Sequence, residues 1–290
     1  MSGASMQPAL ARDEWVIEPR GEGARAVARD VWRYRRLLRF FASRSFQKLY
    51  ARTVLGWSWI FIRPLFPLLV TTLVFGQVLS VTSGSNVPYF LFLVVGVTPW
   101  EFFASNLMWG TRSLELNRGM LSRIYLPRLI LPIAMVAPAL VTFLIHLGVI
   151  AVAIFYYRWS TGMWFFQPAL VGWAVQGFLL AWLLSLGIAL WTSVPALVAR
   201  DVRFTLGYVL GFWIFLTPIM YSLSSVPADY RWAFALNPMT SVVESFKFGV
   251  LGLGAIDSRQ LLTSWGIALL TLASGLVFFS RAERNAADKA

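Results

Sequence analysis

The sequence contains no cysteine, one histidine and only three lysines, and these shortages exclude several kinds of site. Without cysteine the chain has neither disulfides nor thiolate metal ligands. A P-loop requires the pattern G-x-x-x-x-G-K-[ST], and none of the lysines, Lys48, Lys247 and Lys289, follows a glycine. We therefore expect this chain to bind no ATP, no metal and no cofactor by itself.

Charged residues are also scarce, at 13% of 290 residues, whereas 58% of the residues are hydrophobic and 16% are aromatic. Soluble domains have roughly 45–50% apolar residues, so this composition is typical of a polytopic membrane protein. The net charge is +12. In a membrane protein, such an excess of basic residues reflects the orientation of the chain in the membrane and contact with lipid phosphates. We therefore expect no nucleic-acid partner.

Charge-free apolar runs predict six transmembrane helices, since each span needs about 20 apolar residues. The predicted spans are approximately 56–79, 87–110, 129–157, 169–191, 204–222 and 260–280. We therefore expect an all-α membrane protein, with one six-span domain over residues 51–281 and a cytoplasmic tail over residues 282–290.

The basic residues predict the orientation of these spans. With both termini in the cytoplasm, 21 of the 25 Lys and Arg residues lie in cytoplasmic segments. The other four lie in outer segments and are Arg158, Arg231, Lys247 and Arg259. Cytoplasmic connections of membrane proteins carry such an excess, so we predict that both termini are cytoplasmic.

The N-terminal region divides into a flexible polar tail, residues 1–23, and an amphipathic segment, residues 24–50. Apolar residues in the second segment recur at steps of three and four, which predicts a helix, and arginines occupy its other side. The helix either lies in the membrane interface and binds anionic lipid or diphosphate groups, or supplies a solvated positive-inside signal. The arginines proposed for anion binding are Arg29, Arg33, Arg36 and Arg39.

A broken apolar stretch, residues 226–252, separates the fifth and sixth predicted spans. It has too many apolar residues for a solvated loop, and Pro238 divides it into two short helix candidates. Glu244 and Lys247 are three residues apart, a spacing that allows a pair on one helix face. We interpret the stretch as a re-entrant hairpin that gates an outer opening, with an interfacial loop as the alternative.

Two ionisable residues, Glu101 and His146, fall within predicted spans. Such residues are functional candidates by default. Neither has a matching charged partner in an adjacent span, so we expect structural roles, with a proton relay at Glu101 as the alternative. For His146 we expect a hydrogen bond in helix packing.

Five segments, in this order and spacing, resemble the membrane subunit of type-2 ATP-binding-cassette (ABC) exporters of cell-surface polysaccharides. They are TVLGWSWIFIRP (53–64), FLFLVVGVTPWEFF (90–103), NRGMLSRIYLPRLILP (117–132), FLTPIMY (215–221) and LNPMTSVVESFKFGVLG (236–252). The resemblance covers about residues 24–281. It implies a non-catalytic homodimeric permease in the bacterial cytoplasmic (inner) membrane, with ATP and Mg bound by two copies of a separate ATPase subunit.

The resemblance also implies roles for particular segments. Residues 24–50 are similar to the interface helix of the family, residues 111–124 to its coupling helix and residues 226–252 to its outer gate helices. The implied coupling residues are Arg112, Glu115, Asn117, Arg118 and Arg123, and the implied gate residues are Pro238, Glu244 and Lys247. The implied channel aromatics are Trp57, Phe92, Trp100, Phe103, Phe212, Phe215 and Tyr221.

The implied cargo is a lipid-linked polysaccharide, with O-antigen as the first expectation. Teichoic acid, capsule and a small lipid or drug are the alternatives within this class of transporter. A membrane-embedded glycosyltransferase or acyltransferase is a more remote alternative. That class needs catalytic acidic or histidine residues near the interface, and the acidic residues beside the spans do not cluster in the sequence.

Overall fold

The chain divides after Arg35 into two units, and the first lies entirely outside the described residues. The computed structural model describes residues 36–37, 40–41, 43, 58–81, 86–121 and 128–287. All regular secondary structure in this described part is helical. The expected all-α class is therefore confirmed. The predicted interface helix, residues 24–50, falls almost wholly outside the described residues.

Ten α-helices follow one another along the described part of the chain. They are α1 (Trp59–Thr71), α2 (Tyr89–Leu116), α3 (Arg118–Leu121), α4 (Ile130–Ala134), α5 (Val136–Thr161), α6 (Val171–Val198), α7 (Asp201–Trp213), α8 (Arg231–Leu236), α9 (Pro238–Leu251) and α10 (Ser258–Ala287). A π-helical segment, Thr72–Val78, continues α1, and 3-10 turns lie at Pro168–Leu170, Leu223–Ser225 and Ala228–Tyr230.

Five helical segments in the described residues are long and apolar enough to cross a membrane. They are Phe61–Val78, Tyr89–Leu116, Ile130–Thr161, Pro168–Val198 and Ser258–Ala282. Each has at least 18 residues, close to the 20 or so that span the hydrocarbon core. They correspond to predicted spans one, two, three, four and six.

The fifth predicted span differs from the expectation of one continuous helix. Helix α7 has 13 residues and ends at Trp213, and the chain then forms turns as far as Tyr221. At 1.5 Å per residue α7 is about 20 Å long, which is less than the hydrocarbon thickness. Pro218 gives the physical reason, since a proline has no N–H to donate and its ring clashes with the carbonyl of Ile214, four residues earlier.

Residues 226–252 contain the two helices predicted for them, α8 and α9, and the division at Pro238 is confirmed. Pro238 is the first residue of α9, where its missing N–H has no helical acceptor. Asn237 caps the helix, because its side-chain oxygen accepts a hydrogen bond from Met239 N at 3.0 Å.

The predicted coupling segment, residues 111–124, is not one helix. Its first six residues continue α2 to Leu116, residues 118–121 form the single turn α3, and residues 122–127 lie outside the described residues. Asn117 interrupts the helix, and its side chain donates to Ser113 O at 2.9 Å. Such a local hydrogen bond competes with the helical backbone pattern.

The last helix also differs from its expected bounds. Helix α10 continues through the predicted tail as far as Ala287. Alanine, arginine and glutamate dominate residues 281–287, and all three favour a helix.

Helix α6 is the centre of the fold, with α2, α9 and α10 packed around it. Small residues permit these close crossings, as is usual where helices pack in membranes. A Cβ atom on Gly177 would lie 2.9 Å from Val242 O in α9, and a Cβ atom on Gly275 would lie 2.6 Å from Gly187 O in α6. The glycines therefore set the distance of α9 and α10 from α6.

The contacts between the described helix ends fall into two groups. At one end, Tyr89 Oη donates to Met220 O at 2.8 Å and Gln167 N donates to Val250 O at 3.0 Å. At the other end, Arg203 Nη1 lies 2.7 Å from Glu115 Oε2. Connections predicted on the outer side thus meet at one end, and connections predicted in the cytoplasm meet at the other.

Replacing Gly275 with alanine tests the crossing of α6 and α10. We expect Gly275→Ala to lower the free energy of unfolding by about 1–3 kcal/mol, because the added methyl group overlaps the backbone of α6. The measurement is denaturant unfolding in detergent, followed by circular dichroism. Gly266→Ala in the same helix is the matched control, since no atom lies within 4 Å of its added Cβ. Equal destabilisation by the two variants would contradict this packing.

Candidate functional site

The break after α7 leaves backbone carbonyls without helical partners in an apolar protein. Unpaired backbone groups cost several kcal/mol in a membrane, so non-helical backbone there must find donors inside the protein. Side chains from α9 and its N-terminal cap supply these donors. We call residues 214–221, together with the side chains of Asn237, Glu244 and Lys247 that hold them in place, the pinned turn.

Asn237 uses both ends of its amide to hold the first part of the pinned turn. Its Nδ2 donates to Leu216 O at 2.9 Å and to Thr217 Oγ1 at 3.0 Å. Its Oδ1 accepts from Trp213 Nε1 at 2.9 Å as well as from Met239 N. An asparagine amide offers two donors and two acceptor positions, and all four are occupied here. One side chain thus joins the end of α7 to the start of α9.

Lys247 holds the second part of the pinned turn from α9. Its Nζ donates to Pro218 O at 2.5 Å and to Tyr221 O at 3.5 Å, and only 2% of its side chain is exposed. The ammonium group also lies 3.9 Å from the centre of the Phe92 ring in α2. This distance is within the range of a cation–π interaction, which strengthens away from water.

Glu244 provides the counter-charge, with its Oε1 3.8 Å from Lys247 Nζ. The predicted pair at a spacing of three residues is thereby confirmed. Both side chains are largely buried, with 2% of Lys247 and 14% of Glu244 exposed, and burial without a counter-charge disfavours a charged group. Each group therefore depends on the other to stay charged in this setting.

A glycine in α2 makes room for the pinned turn. A Cβ atom on Gly96 would lie 2.9 Å from Ile219 O and 3.0 Å from Lys247 Cε. Only a residue without a side chain lets the turn approach α2 so closely. The position of Gly96 thus couples α2 to both the backbone and the lysine of the pinned turn.

Arg231 holds together the connection that follows the pinned turn. Its Nε donates to Val226 O at 3.0 Å and its Nη2 donates to Ser224 O at 3.2 Å. Tyr221 Oη donates back to Phe215 O at 2.7 Å. At this end of the protein, side chains therefore donate hydrogen bonds to irregular backbone.

The opposite end contains the residues predicted for coupling. Glu115 is paired with Arg203 of α7, Asn117 is buried, and Arg112 is half-buried. Arg118 is exposed on the single turn α3. Arg123 lies outside the described residues, as do Arg29, Arg33 and Arg39 of the predicted anion-binding set, whereas Arg36 is described and exposed.

The aromatic residues predicted to line a channel separate into two groups. Phe92, Trp100 and Phe103 are at most 3% exposed and belong to the protein core. Trp100 and Phe103 pack against Trp213 with ring centres 6.2 Å and 5.4 Å away. Because their rings face protein on all sides, the channel expectation is corrected for these three. Outside this core set, Phe212 and Phe215 are exposed and Tyr221 is half-buried, while Trp57 lies outside the described residues.

The next features are the possible metal ligands and the single histidine. No group of three His, Cys, Asp or Glu side chains in the described residues is placed to hold a metal ion. His146 Nδ1 lies 3.0 Å from Thr142 O of the preceding turn, so its hydrogen bond is internal to α5. The arrangement suits a conformational role, in which an irregular segment is held between helices.

Comparison with known proteins identifies the family. The family described as ABC-2 type transporter matches residues 36–251, which is more than half of the chain and ends at the last residue of α9. The chain belongs to the ABC-2 type transporter family. Membership makes it a multi-pass membrane transporter protein, in agreement with its apolar helices.

Several relatives of this ABC-2 transporter have names that specify a cargo. It is 26% identical over 265 residues to the O-antigen export system permease protein RfbA of Myxococcus xanthus, covering 90% of this chain and 98% of the relative. It is 24% identical to the RfbA protein of Klebsiella pneumoniae, covering 87% and 94%. It is 27% identical to the polysialic acid transport protein KpsM of Escherichia coli, covering 83% and 91%.

Two residues of this ABC-2 transporter were missed by sequence reasoning. Asn237 stands before a proline at the start of an apolar helix, which is a signature of a helix N-cap and a signal that could have identified it. Arg203 is distinguished in the sequence only as one of the 21 basic residues of the predicted cytoplasmic segments. No local pattern predicts its pairing with Glu115, which lies 88 positions earlier in the chain.

Replacing Lys247 tests the pinned turn. We expect Lys247→Met to lower the free energy of unfolding by about 3–5 kcal/mol, because it leaves the Glu244 carboxylate and the Pro218 carbonyl buried without partners. The measurement is denaturant unfolding in detergent. We expect the double variant Lys247→Met with Glu244→Leu to recover part of the loss.

The exposed residue Arg259 at the same end serves as the control, and we expect Arg259→Met to change stability by less than about 0.5 kcal/mol. A Lys247→Met variant as stable as the Arg259→Met control would show that the lysine does not hold the turn.

Proposed function

We propose that the chain is the permease subunit of an ATP-driven exporter that moves a lipid-linked polysaccharide, first of all O-antigen, across the bacterial cytoplasmic membrane. The observation that carries this proposal is the near full-length similarity to relatives named O-antigen export permeases. A second candidate cargo is a capsule-type polysaccharide, favoured by the relatives named polysialic acid transport proteins.

The permease crosses the membrane six times, and both termini are cytoplasmic. The fifth crossing consists of α7 and the pinned turn, in which side chains replace the missing helical hydrogen bonds. The distribution of 21 basic residues against four supports the orientation. The end that contains Glu115 and Arg203 then faces the cytoplasm, and the end that contains the pinned turn faces outward.

Two copies of the chain form the transport pathway between them. Two segments have faces that their own chain leaves uncovered. Only 6% of the stretch Phe61–Val78, formed by α1 and the π-helical segment, is buried, and Phe204, Tyr208 and Phe212 of α7 are exposed, as is Phe215 of the pinned turn. Such apolar faces contact lipid or another helix in a membrane, and we assign these two to the second copy. Phe212, Phe215 and Tyr221 line the channel in this arrangement, where their ring faces suit sugars.

A separate ATPase subunit, in two copies, supplies the energy, since the chain has no P-loop. The segment around Arg118 receives the ATPase, and α2 and α7 transmit its motion through the pair between Glu115 and Arg203. Helices α8 and α9 with the pinned turn act as the outer gate. The arginines of the N-terminal segment bind the diphosphate of the lipid anchor, for which guanidinium groups are well suited.

Deleting the gene in its natural host tests the proposal. We expect lipid-linked polysaccharide to accumulate on the cytoplasmic face of the membrane and surface polysaccharide to disappear, because synthesis continues without export. Surface labelling with a lectin or antibody, before and after permeabilisation, measures both. Normal surface polysaccharide in the deletion strain would contradict the proposed cargo.

Complementing the deletion strain with variants of the gene separates an effect on coupling to the ATPase from an effect on folding. Glu115 is paired with Arg203 within the chain, so a substitution there would also disturb the fold. Arg118 is exposed, and we expect Arg118→Glu to leave membrane insertion normal but to reduce export by about tenfold or more. Arg281→Glu alters an exposed arginine of α10 at the same end and is the matched control. Equal export by the two variants would remove the coupling assignment from Arg118.

A further inference from the structure

A cavity of about 480 Å³ lies between α5, α6, α9 and the connection after α5. Every residue that lines it is aliphatic or aromatic. Its floor is formed by buried side chains, among them Phe143, Ala174 and Phe246, which are at most 8% exposed. Its mouth is formed by exposed ones, since Phe155 is 64% and Val175 is 52% exposed.

This cavity is partly open to the surface, so a molecule from outside can enter it. An enclosed apolar void of about 150 Å³ already binds a molecule of the size of benzene. The walls of this larger cavity are almost entirely apolar. The volume falls within the range of ligand sites, roughly 300–1,000 Å³, so an apolar ligand is the occupant that the walls select.

The surroundings of the mouth show which apolar molecules can enter the cavity. Helices α5 and α6 belong to the candidate membrane spans Ile130–Thr161 and Pro168–Val198, and the mouth residues Phe155 and Val175 lie within them. Lipid hydrocarbon, rather than water, therefore surrounds the opening. None of the lining residues belongs to α1 or α7, the helices assigned above to the dimer and the channel.

A positive charge stands one helical turn beyond the mouth. Arg158 follows Ile154 by four residues and Phe155 by three, so it shares their face of α5. Its guanidinium group is exposed and donates to Gly162 O, which leaves further N–H groups of the five to donate elsewhere. Trp159 and Trp164, 87% and 47% exposed, lie in the same region, as aromatic residues do at the level of lipid headgroups.

We propose that this cavity binds one acyl chain of an anionic phospholipid from the leaflet at this end, with the lipid phosphate beside Arg158. The aromatic floor contacts the end of the chain, and the guanidinium group selects the anionic headgroup. The site is separate from the transport pathway, and the proposal requires only that the chain spans a membrane. A bound phospholipid would fill the space between α5, α6 and α9. It would thereby support the packing of α9, one of the proposed gate helices, against α5 and α6.

The test uses the full-length chain in nanodiscs of phosphatidylcholine. The probe is a minor fraction of phosphatidylglycerol with a photoreactive diazirine near the end of one acyl chain. After irradiation, peptide mass spectrometry locates the adducts. We expect adducts on lining residues that excess unlabelled phosphatidylglycerol competes away, whereas labelling of outward-facing residues such as Leu144 is not saturable.

Two neighbouring residues of α5 provide a matched pair of variants. Ala151 lines the cavity, whereas Val152 is 70% exposed and is not among the lining residues. We expect Ala151→Trp to fill the cavity and reduce saturable labelling by about tenfold, which corresponds to ~1.4 kcal/mol. We expect Val152→Trp to leave it unchanged. Equal labelling of both variants, or equal loss in both, would overturn the proposal.

A separate variant, which does not alter the cavity, tests the contact between Arg158 and the lipid headgroup. We expect Arg158→Gln to reduce the preference for phosphatidylglycerol over phosphatidylcholine probes by about fivefold, as loss of one basic residue near a lipid surface predicts. Arg259→Gln at the same end is the control. An unchanged preference in Arg158→Gln would overturn the assigned headgroup contact. Displacement of the probe by a polyprenyl phosphate at concentrations where phosphatidylglycerol fails to compete would instead assign the cavity to the cargo anchor and overturn the proposal.

Discussion

A backbone that leaves the helical pattern inside a membrane protein must find its hydrogen-bond partners within the protein, because lipid offers none. This requirement governs the described structure most strongly after Trp213, where α7 stops short of a full crossing. Asn237 and Lys247 meet it by donating to carbonyl groups of the pinned turn. Both belong to the region of α9, so residues 214–221 and α9 form one unit.

The same unit is joined to α2 along most of the length of the protein. Gly96 and Phe92 contact the pinned turn at one end, Trp100 and Phe103 pack on Trp213 in the middle, and Glu115 pairs with Arg203 at the other end. Displacement of α2 at its Glu115 end would therefore move α7 and the pinned turn with it. This gives the proposed transport cycle a physical route from the ATPase to the outer gate.

Sequence patterns predicted the parts of this structure that depend on local physics. Long apolar runs predicted the five described segments that are long and apolar enough to cross a membrane. The proline at position 238 predicted the division between α8 and α9, and the spacing of Glu244 and Lys247 predicted their pair. These features follow from span length, backbone geometry and helix periodicity, which a single segment determines by itself.

The end of α7 at Trp213 was predicted poorly although its cause, Pro218, is local, because the stretch is as apolar as a complete span. Features that depend on distant contacts were also predicted poorly. The burial of Phe92, Trp100 and Phe103 depends on which helices surround α2, and residue type alone does not determine that. The pairing of Glu115 with Arg203 likewise requires the three-dimensional arrangement of α2 and α7.

The most direct measurement is the sidedness of the two ends of the fifth crossing. The chain has no cysteine, so Ala199→Cys and Ser224→Cys each introduce a single exposed thiol, one before α7 and one after the pinned turn. We expect a membrane-impermeant maleimide to label Ser224→Cys in intact spheroplasts and Ala199→Cys only after permeabilisation. Labelling of both thiols from the same side would contradict a short helix and a pinned turn crossing the membrane together.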